Sequence, residues 1–209
     1  MMEKPQQYKD LFNLRNKVAI VTGGYGHLGS SMSKALTSFG AKVIVFGRAV
    51  RKTIDFDGYI SYVQCDVTDT EKVKQKINEI INKYRTIDIL INNAFCEDRK
   101  PVDEITKKEW DIGLDNILSH NFFCSQAVIP QMLKQGNGSI INVSSIYGFL
   151  GHDQSLYQEV KSASVFYSVA KGGILQMTKR FATEYASKGI RVNTISPGNF
   201  PKKTPGVPE

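Results

Sequence analysis

An α/β fold built on a doubly wound parallel sheet is what this sequence predicts, and three observations carry it. Short β-branched runs alternate with helical patterns along the chain, beginning with KVAIVT from Lys17 to Thr22. The runs are nearly all apolar rather than alternating, which suits strands covered on both faces of a three-layer α/β/α arrangement. A glycine-rich turn, TGGYGHLG from Thr22 to Gly29, joins the first run to the first helical pattern. Units of this kind close with right-handed crossovers, and their sheets bind ligands beyond the C-terminal strand ends, where the strand order switches.

The elements follow in order. A helix is expected from Leu28 to Phe39, stopped by Gly40, then strands at Lys42–Phe46 and Tyr59–Val63. The stretch TDTE, Thr68 to Glu71, reads as a capping box opening a helix that runs to Tyr84. A fourth strand is expected at Ile87–Ile91, helical pattern from Thr106 to Gln135 with a break near Gly113, and a fifth strand at Ser139–Val143. A helix from Ser162 to Lys188 and a sixth strand at Arg191–Ile195 complete the pattern. No repeat or linker divides the chain, so a single domain over residues 1–209 is expected.

Composition excludes several function classes. Hydrophobic content of 41% and charged content of 22% are those of an ordinary globular chain. No apolar run approaches the roughly 20 residues that cross a bilayer, and Met1–Asp10 carries no hydrophobic stretch of a secretory signal. Cys65, Cys96 and Cys124 are odd in number and lack CxxC spacing, which points to reduced thiols and a cytoplasmic setting, with no metal site. The net charge of +7 suits anionic partners. Its lysines are scattered, however. Lys72, Lys74, Lys76 and Lys83 lie opposite Val73, Ile77, Ile80, Ile81 and Tyr84, so they form a solvated helix face rather than a nucleic-acid surface.

Two motifs carry chemistry. Tyr167 and Lys171 in YSVAK are four apart on one expected helix and share a face. A phenol has a reference pKa near 10, and an adjacent ammonium favours the phenolate, which brings proton transfer within reach. The turn around Gly23, Tyr25, Gly26, His27, Leu28 and Gly29 permits close backbone approach to a pyrophosphate at a helix N-terminus. Such folds commonly carry an acid at the end of the second strand for the ribose diol; here Gly47 stands there and Arg48 follows. A guanidinium suits a 2′-phosphate, so NADP(H) is expected, with NAD as the alternative.

With these motifs in this order the chain resembles the short-chain dehydrogenase/reductase family, single-domain branch, over about Lys17 to Gly198. The resemblance implies a Rossmann-type sheet and an NAD(P)(H)-dependent oxidoreductase interconverting a carbonyl and a secondary alcohol. Asp66 and Val67 follow the third strand, where the family contacts adenine. Asn93 and Ala94 match its NNAG motif, and Pro197 and Gly198 its PG motif beside the nicotinamide, with Phe200 just beyond. Asn116 is similar to the family's catalytic asparagine, and Ser145 in NVSS to its catalytic serine, with Ser144 the runner-up. The implied roles are proton transfer at Tyr167, pKa control and ribose binding at Lys171, a substrate hydrogen bond at Ser145, and a relay water at Asn116. A polar or sugar-like small-molecule partner and a homodimer or homotetramer are further expectations.

The pattern also departs from the family. His27 takes the middle-glycine position, and read as TGxxGxxG the turn is similar to the branch that modifies nucleotide sugars; an epimerase or dehydratase is therefore the alternative function. Phe95 replaces the glycine of NNAG, which favours a third, non-catalytic reading. Ser145 and Tyr167 are 22 positions apart, with a polar segment, Gly151 to Lys161, expected to flap over the substrate. The tail from Asn199 to Glu209 follows the sixth strand where the family continues through another helix and a seventh strand.

Overall fold

The structure, a computed structural model, describes residues 12–49, 59–95, 99–153, 164–198 and 200. Its elements are β1 (Val18–Thr22), α1 (His27–Ser38), β2 (Lys42–Gly47), β3 (Ile60–Gln64), α2 (Thr70–Tyr84), β4 (Ile89–Asn92), α3 (Lys107–Leu114), α4 (His120–Gln135), β5 (Gly138–Val143), α5 (Val165–Tyr185) and β6 (Ile190–Ile195). The six strands form one parallel sheet in the order β3-β2-β1-β4-β5-β6. The order reverses between β1 and β4, which puts the predicted switch point beside the glycine turn.

Apolar burial explains the layers. One face of the sheet, with Ile20, Ile44, Leu90 and Ile140, packs against Val73 and Ile77 of α2, Val128 and Met132 of α4, and Phe181 of α5. The other face, with Ala19, Val21, Val43 and Val45, packs against Met32 and Leu36 of α1. β6 departs from the two-face expectation: Ile190 and Val192 are buried while Arg191, Asn193 and Ile195 are exposed.

Several element boundaries differ for identifiable reasons. The capping box at Thr68 does not form. The Thr68 hydroxyl donates to Asp66 Oδ1 (2.9 Å), and Asp69 caps α2 by accepting from Lys72 N (3.0 Å). A capping box does open α3, where Thr106 and Glu109 bond each other's backbone N–H groups. β4 starts late because the Ile87 N–H and carbonyl both bond the Gln135 side-chain amide (3.0 and 3.1 Å). Gly113 does not break the helical stretch. It lies inside α3, where a Cβ would sit 2.4 Å from the Phe166 ring of α5. The irregularity begins two residues later, as a π-helical segment at Asp115–Ser119. The Tyr–Lys helix begins with Ser164 as its N-cap, and the expected start at Ser162 lies outside the described residues, as does Cys96.

Candidate active site

A cleft of about 610 Å³ crosses the C-terminal ends of the strands. It is lined from one side by Arg48 after β2 and Asp66, Val67 and Thr68 after β3. Gly23, Gly26, His27 and Leu28 of the glycine turn form its floor, with Asn93, Ala94 and Phe95 after β4 beside them. The far side is built by Asn116, Ser144, Ser145, Tyr167, Lys171, Pro197, Gly198 and Phe200, with Arg99 from the loop after β4. All four expected catalytic residues therefore face one cavity. Its size is that of a small-molecule or cofactor site.

Two expected cofactor contacts do not line this cleft. The Tyr25 ring packs on Tyr62 behind the turn, with centroids 5.4 Å apart, because its backbone directs it toward β2 and β3. Gly29 is buried, and a Cβ there would meet Gly23 O at 2.3 Å. Its part is to let α1 close on the turn, as a bulkier residue would push the helix away. Asn93 lines the cleft, but its amide braces the turn by donating to Thr22 O (3.0 Å) and Gly23 O (3.2 Å). Thr22, which sequence reasoning passed over, anchors the same joint: its hydroxyl oxygen accepts from Asn93 N (2.9 Å) and Ala94 N (3.0 Å).

A side chain in place of Gly47, where an acid often follows the second strand, would crowd Tyr62. A Cβ on Gly47 would sit 3.1 Å from the Tyr62 ring, whose hydroxyl donates to Gly47 O (2.8 Å). Arg48 is left as the charged cleft residue at that end of β2, while Asp66 spends one carboxylate oxygen on Thr68 N (3.1 Å) and the Thr68 hydroxyl.

The far wall rests on α5. Phe166, Ala170, Ile174, Thr178 and Phe181 form its buried stripe, and Lys171 lies beside that stripe at 3% exposure. Its ammonium donates to Val143 O (2.7 Å), and burial pushes its pKa down to about 8. The Phe95 and Tyr167 rings flank it, with centroids 5.4 and 5.6 Å away, a favourable placement for a cation. Phe95 meets Tyr167 edge-on and lines the cleft beside it.

The two serines are held differently. The Ser144 hydroxyl donates to Lys171 O (2.7 Å) and ties β5 to α5. The Ser145 oxygen accepts from Tyr147 N (3.2 Å) at the head of the turn Ile146–Gly148. Ile146 N donates to Pro197 O (3.1 Å), which draws the ends of β5 and β6 together. Asn116 reaches the cleft from the π-helical segment, and one residue on, Ile117 O accepts from Asn121 Nδ2 (2.6 Å). His120 lies buried behind this wall with its pKa pushed down to about 4, first by burial and then by the Lys171 charge. Of the expected flap, Gly151, His152 and Asp153 are described, and the His152 ring lies on Tyr147 with centroids 4.3 Å apart. Tyr157, Gln158, Glu159 and the remainder lie outside the described residues.

The open backbone of the turn and the basic residue at the end of β2 fit a nicotinamide dinucleotide, and the Tyr–Lys wall fits hydride chemistry beside it. Fold and cleft together define a dinucleotide-dependent oxidoreductase. Residues 17–205 match the short chain dehydrogenase family. The chain is 33% identical over 194 residues to the "Probable galactose dehydrogenase GalD" of Rhizobium meliloti, covering 89% of this chain and 72% of that one. A short-chain dehydrogenase from Leptospira borgpetersenii, solved with bound NAD+, superposes with a TM-score of 0.86 at 29% identity, over 98% of this chain and 78% of that one. A gluconate 5-dehydrogenase from Burkholderia cenocepacia, in complex with NADP and tartrate, superposes with a TM-score of 0.83 at 26% identity, over 93% and 76%. This chain belongs to the short-chain dehydrogenase/reductase family and is an NAD(P)-dependent oxidoreductase that interconverts a carbonyl and an alcohol. Among the described residues no helix is long and apolar enough to cross a membrane, and no cluster of His, Cys, Asp or Glu could hold a metal ion.

Proposed function

We propose that the chain prefers NADP(H), acts on a polar, sugar-like carbonyl or secondary alcohol, and works through Tyr167, Lys171, Ser145 and Asn116. The observation that carries this is the buried Lys171 on the same cleft wall as Tyr167 and Ser145. When bound, the cofactor supplies or accepts the hydride. Tyr167 then gives a proton to the substrate oxygen in reduction and takes it back in oxidation. Lys171 stabilises the phenolate by its charge, and Val143 O fixes the direction of that ammonium. Ser145 has its hydroxyl proton available for the substrate oxygen, whereas Ser144 gives its own to Lys171 O. Asn116 sits where an irregular helical turn can hold a relay water near Lys171.

Arg48 and the glycine in place of an acid at position 47 support NADP(H), with NAD as the alternative. The sugar-acting relatives support a polar substrate. The nucleotide-sugar epimerase reading finds no favour among relatives that are dehydrogenases, and the convergence of four catalytic residues on one cleft speaks against a non-catalytic role. The whole chain acts as one domain in this reading. A homodimer or homotetramer remains the assembly in this reading, and free Cys65 and Cys124 fit a reducing cytoplasm. The test is a steady-state assay of sugar and polyol substrates with both cofactors across pH. Reduction should fall as pH rises through about 8, where Lys171 loses its proton. A rate with NADH equal to that with NADPH, or flat through pH 8, overturns the corresponding part.

A further inference from the structure

Core packing does not explain Phe95. Its ring is 51% exposed, and it lines the cleft at a position where the family's motif carries a glycine. The joint beside it sets its direction. Asn93 N and Ala94 N both donate to Thr22 Oγ1 (2.9 and 3.0 Å), so the chain leaves the end of β4 along a fixed path. That path brings the Phe95 ring centroid to 5.4 Å from Lys171 Nζ and 6.2 Å from the Tyr167 ring.

Lys171 is an ammonium in need of compensation, because a buried charge is costly unless something opposite faces it. One of its N–H groups donates to Val143 O of β5 (2.7 Å), and no carboxylate among the described residues is paired with it. From α5 it meets the Tyr167 ring at 5.6 Å, and from the loop after β4 the Phe95 ring. His120 of α4 feels its charge but is held neutral by burial. Arg48 and Arg99 line the same cleft and bring no negative charge, and Asp66 bonds Thr68 on the cofactor side. The face of an aromatic ring is the negative side of its quadrupole. It attracts a cation within about 6 Å of the centroid, most strongly where water is excluded. Lys171 is buried enough to meet that condition. Of its two rings, Tyr167 carries the phenol that changes charge during the reaction, and Phe95 is the one that stays constant.

We infer that Phe95 is a positioning residue of the proton relay: its ring face holds the Lys171 ammonium charged and beside Tyr167. This rests on the reading of Lys171 as the group that stabilises the Tyr167 phenolate. A carboxylate in the same place would also hold the ammonium, but it would repel the phenolate that the ammonium is there to favour. A ring supports the cation without adding a competing anion.

The experiment alters the charge on the ring face and keeps the shape of the ring. Phe95 is replaced by mono-, tri- and pentafluorophenylalanine, which drain the face stepwise, and the series is set beside Phe95→Leu and Phe95→Tyr. Scanning calorimetry should show unchanged folding, since the ring is half exposed. The first arm is the pH dependence of kcat for reduction at saturating NADPH. Its alkaline midpoint should fall with each step, by about 0.4–1.5 pH units over the series, the range of one ring face on a desolvated cation. Phe95→Leu should lower it comparably, and Phe95→Tyr should leave it in place. A ring that only excluded water would give the opposite sign in Phe95→Leu, and a raised midpoint there overturns the inference. The second arm follows the lysine ε-carbons by NMR in protein without cofactor or substrate, the Lys171 signal being the one lost in Lys171→Met. Lys171 should titrate at lower pH in the pentafluoro protein than in wild type. Equal titration in the two overturns the inference whatever the activity. A lowered titration with an unmoved kinetic midpoint upholds the contact between ring and ammonium and sinks the proton role of Lys171 instead.

Discussion

The two ends of the sheet are made from the same six strands and treat buried charge in opposite ways. At the N-terminal end, Asp88 accepts from Lys17 Nζ (2.9 Å), Val18 N (3.0 Å) and the Thr86 hydroxyl (3.1 Å). Nearby, Gln135 fills both backbone groups of Ile87. At the C-terminal end, Lys171 is buried as deeply but meets a carbonyl and two ring faces, and no carboxylate among the described residues pairs with it. The saturated charge is fixed and serves stability. The under-compensated one has its proton affinity lowered to about 8 and can respond to what enters the cleft. Burial alone therefore does not distinguish structure from chemistry; the completeness of a group's partners does.

The sharpest way to break this comparison is at Tyr167. Tyr167→Phe keeps the ring that meets Phe95 and removes only the hydroxyl. Turnover should fall about 10²–10⁴-fold with thermal midpoint and cofactor affinity unchanged, as read by kinetics, scanning calorimetry and titration. Asp88→Ala should do the reverse. It strands Val18 N and removes the partner of a half-exposed Lys17, so a loss of about 1–3 kcal/mol is expected in urea denaturation, with kcat preserved. Unaltered stability would show that the N-terminal end is not the stabilising one.

Within the cleft, Arg48→Ala should weaken NADPH relative to NADH by about 1–3 kcal/mol in binding titrations, and equal losses would remove the basis for NADP(H) preference. At neutral pH no effect is expected from His120; its effect appears only in acid. An unfolded imidazole takes its proton near 6.5, but the folded one holds out to about 4. Between those values the unfolded state binds more protons, so stability falls as pH drops through that window. The slope is about 1 kcal/mol per pH unit at its steepest. His120→Gln should flatten that slope in denaturation curves taken from pH 7 to pH 4, and an identical slope would assign the acid sensitivity to other groups.

How much of this could be read in the sequence divides along similar lines. Apolar runs specified all six strands to within a residue or two, most plainly β1, β2, β4 and β5, which are buried along nearly their whole length. Tyr167, Lys171, Ser145 and Asn116 were legible because family motifs fix their places on elements the periodicity had already located, and the structure brings them to one cleft. What escaped notice depends on partners distant in the chain. Asn92 Nδ2 donates to Asn142 Oδ1 (2.8 Å) and Ser125 Oγ (3.0 Å), and Asn142 Nδ2 donates to Thr178 Oγ1 (2.9 Å), a buried lattice that no local pattern announces. The Thr68 cap failed because α2 starts one residue later than expected, with Asp69 accepting from Lys72 N. The tie between the loop after β4 and the first turn of α5 rests on a bond between Lys100 and Ser164, 64 positions apart, and loop charge gave no hint of it.

The contact of Gly113 with Phe166 closes a circuit that Lys100 completes through Ser164 and Glu109. Helix α3, the first turn of α5 and the residue next to Arg99 are thereby joined in a ring. A surface loop left to itself samples many shapes, and a ligand must bear the entropy of choosing one. Around this ring the choice is made when the chain folds. Selectivity at the catalytic end then becomes a matter of fit to a shape that exists before any substrate arrives.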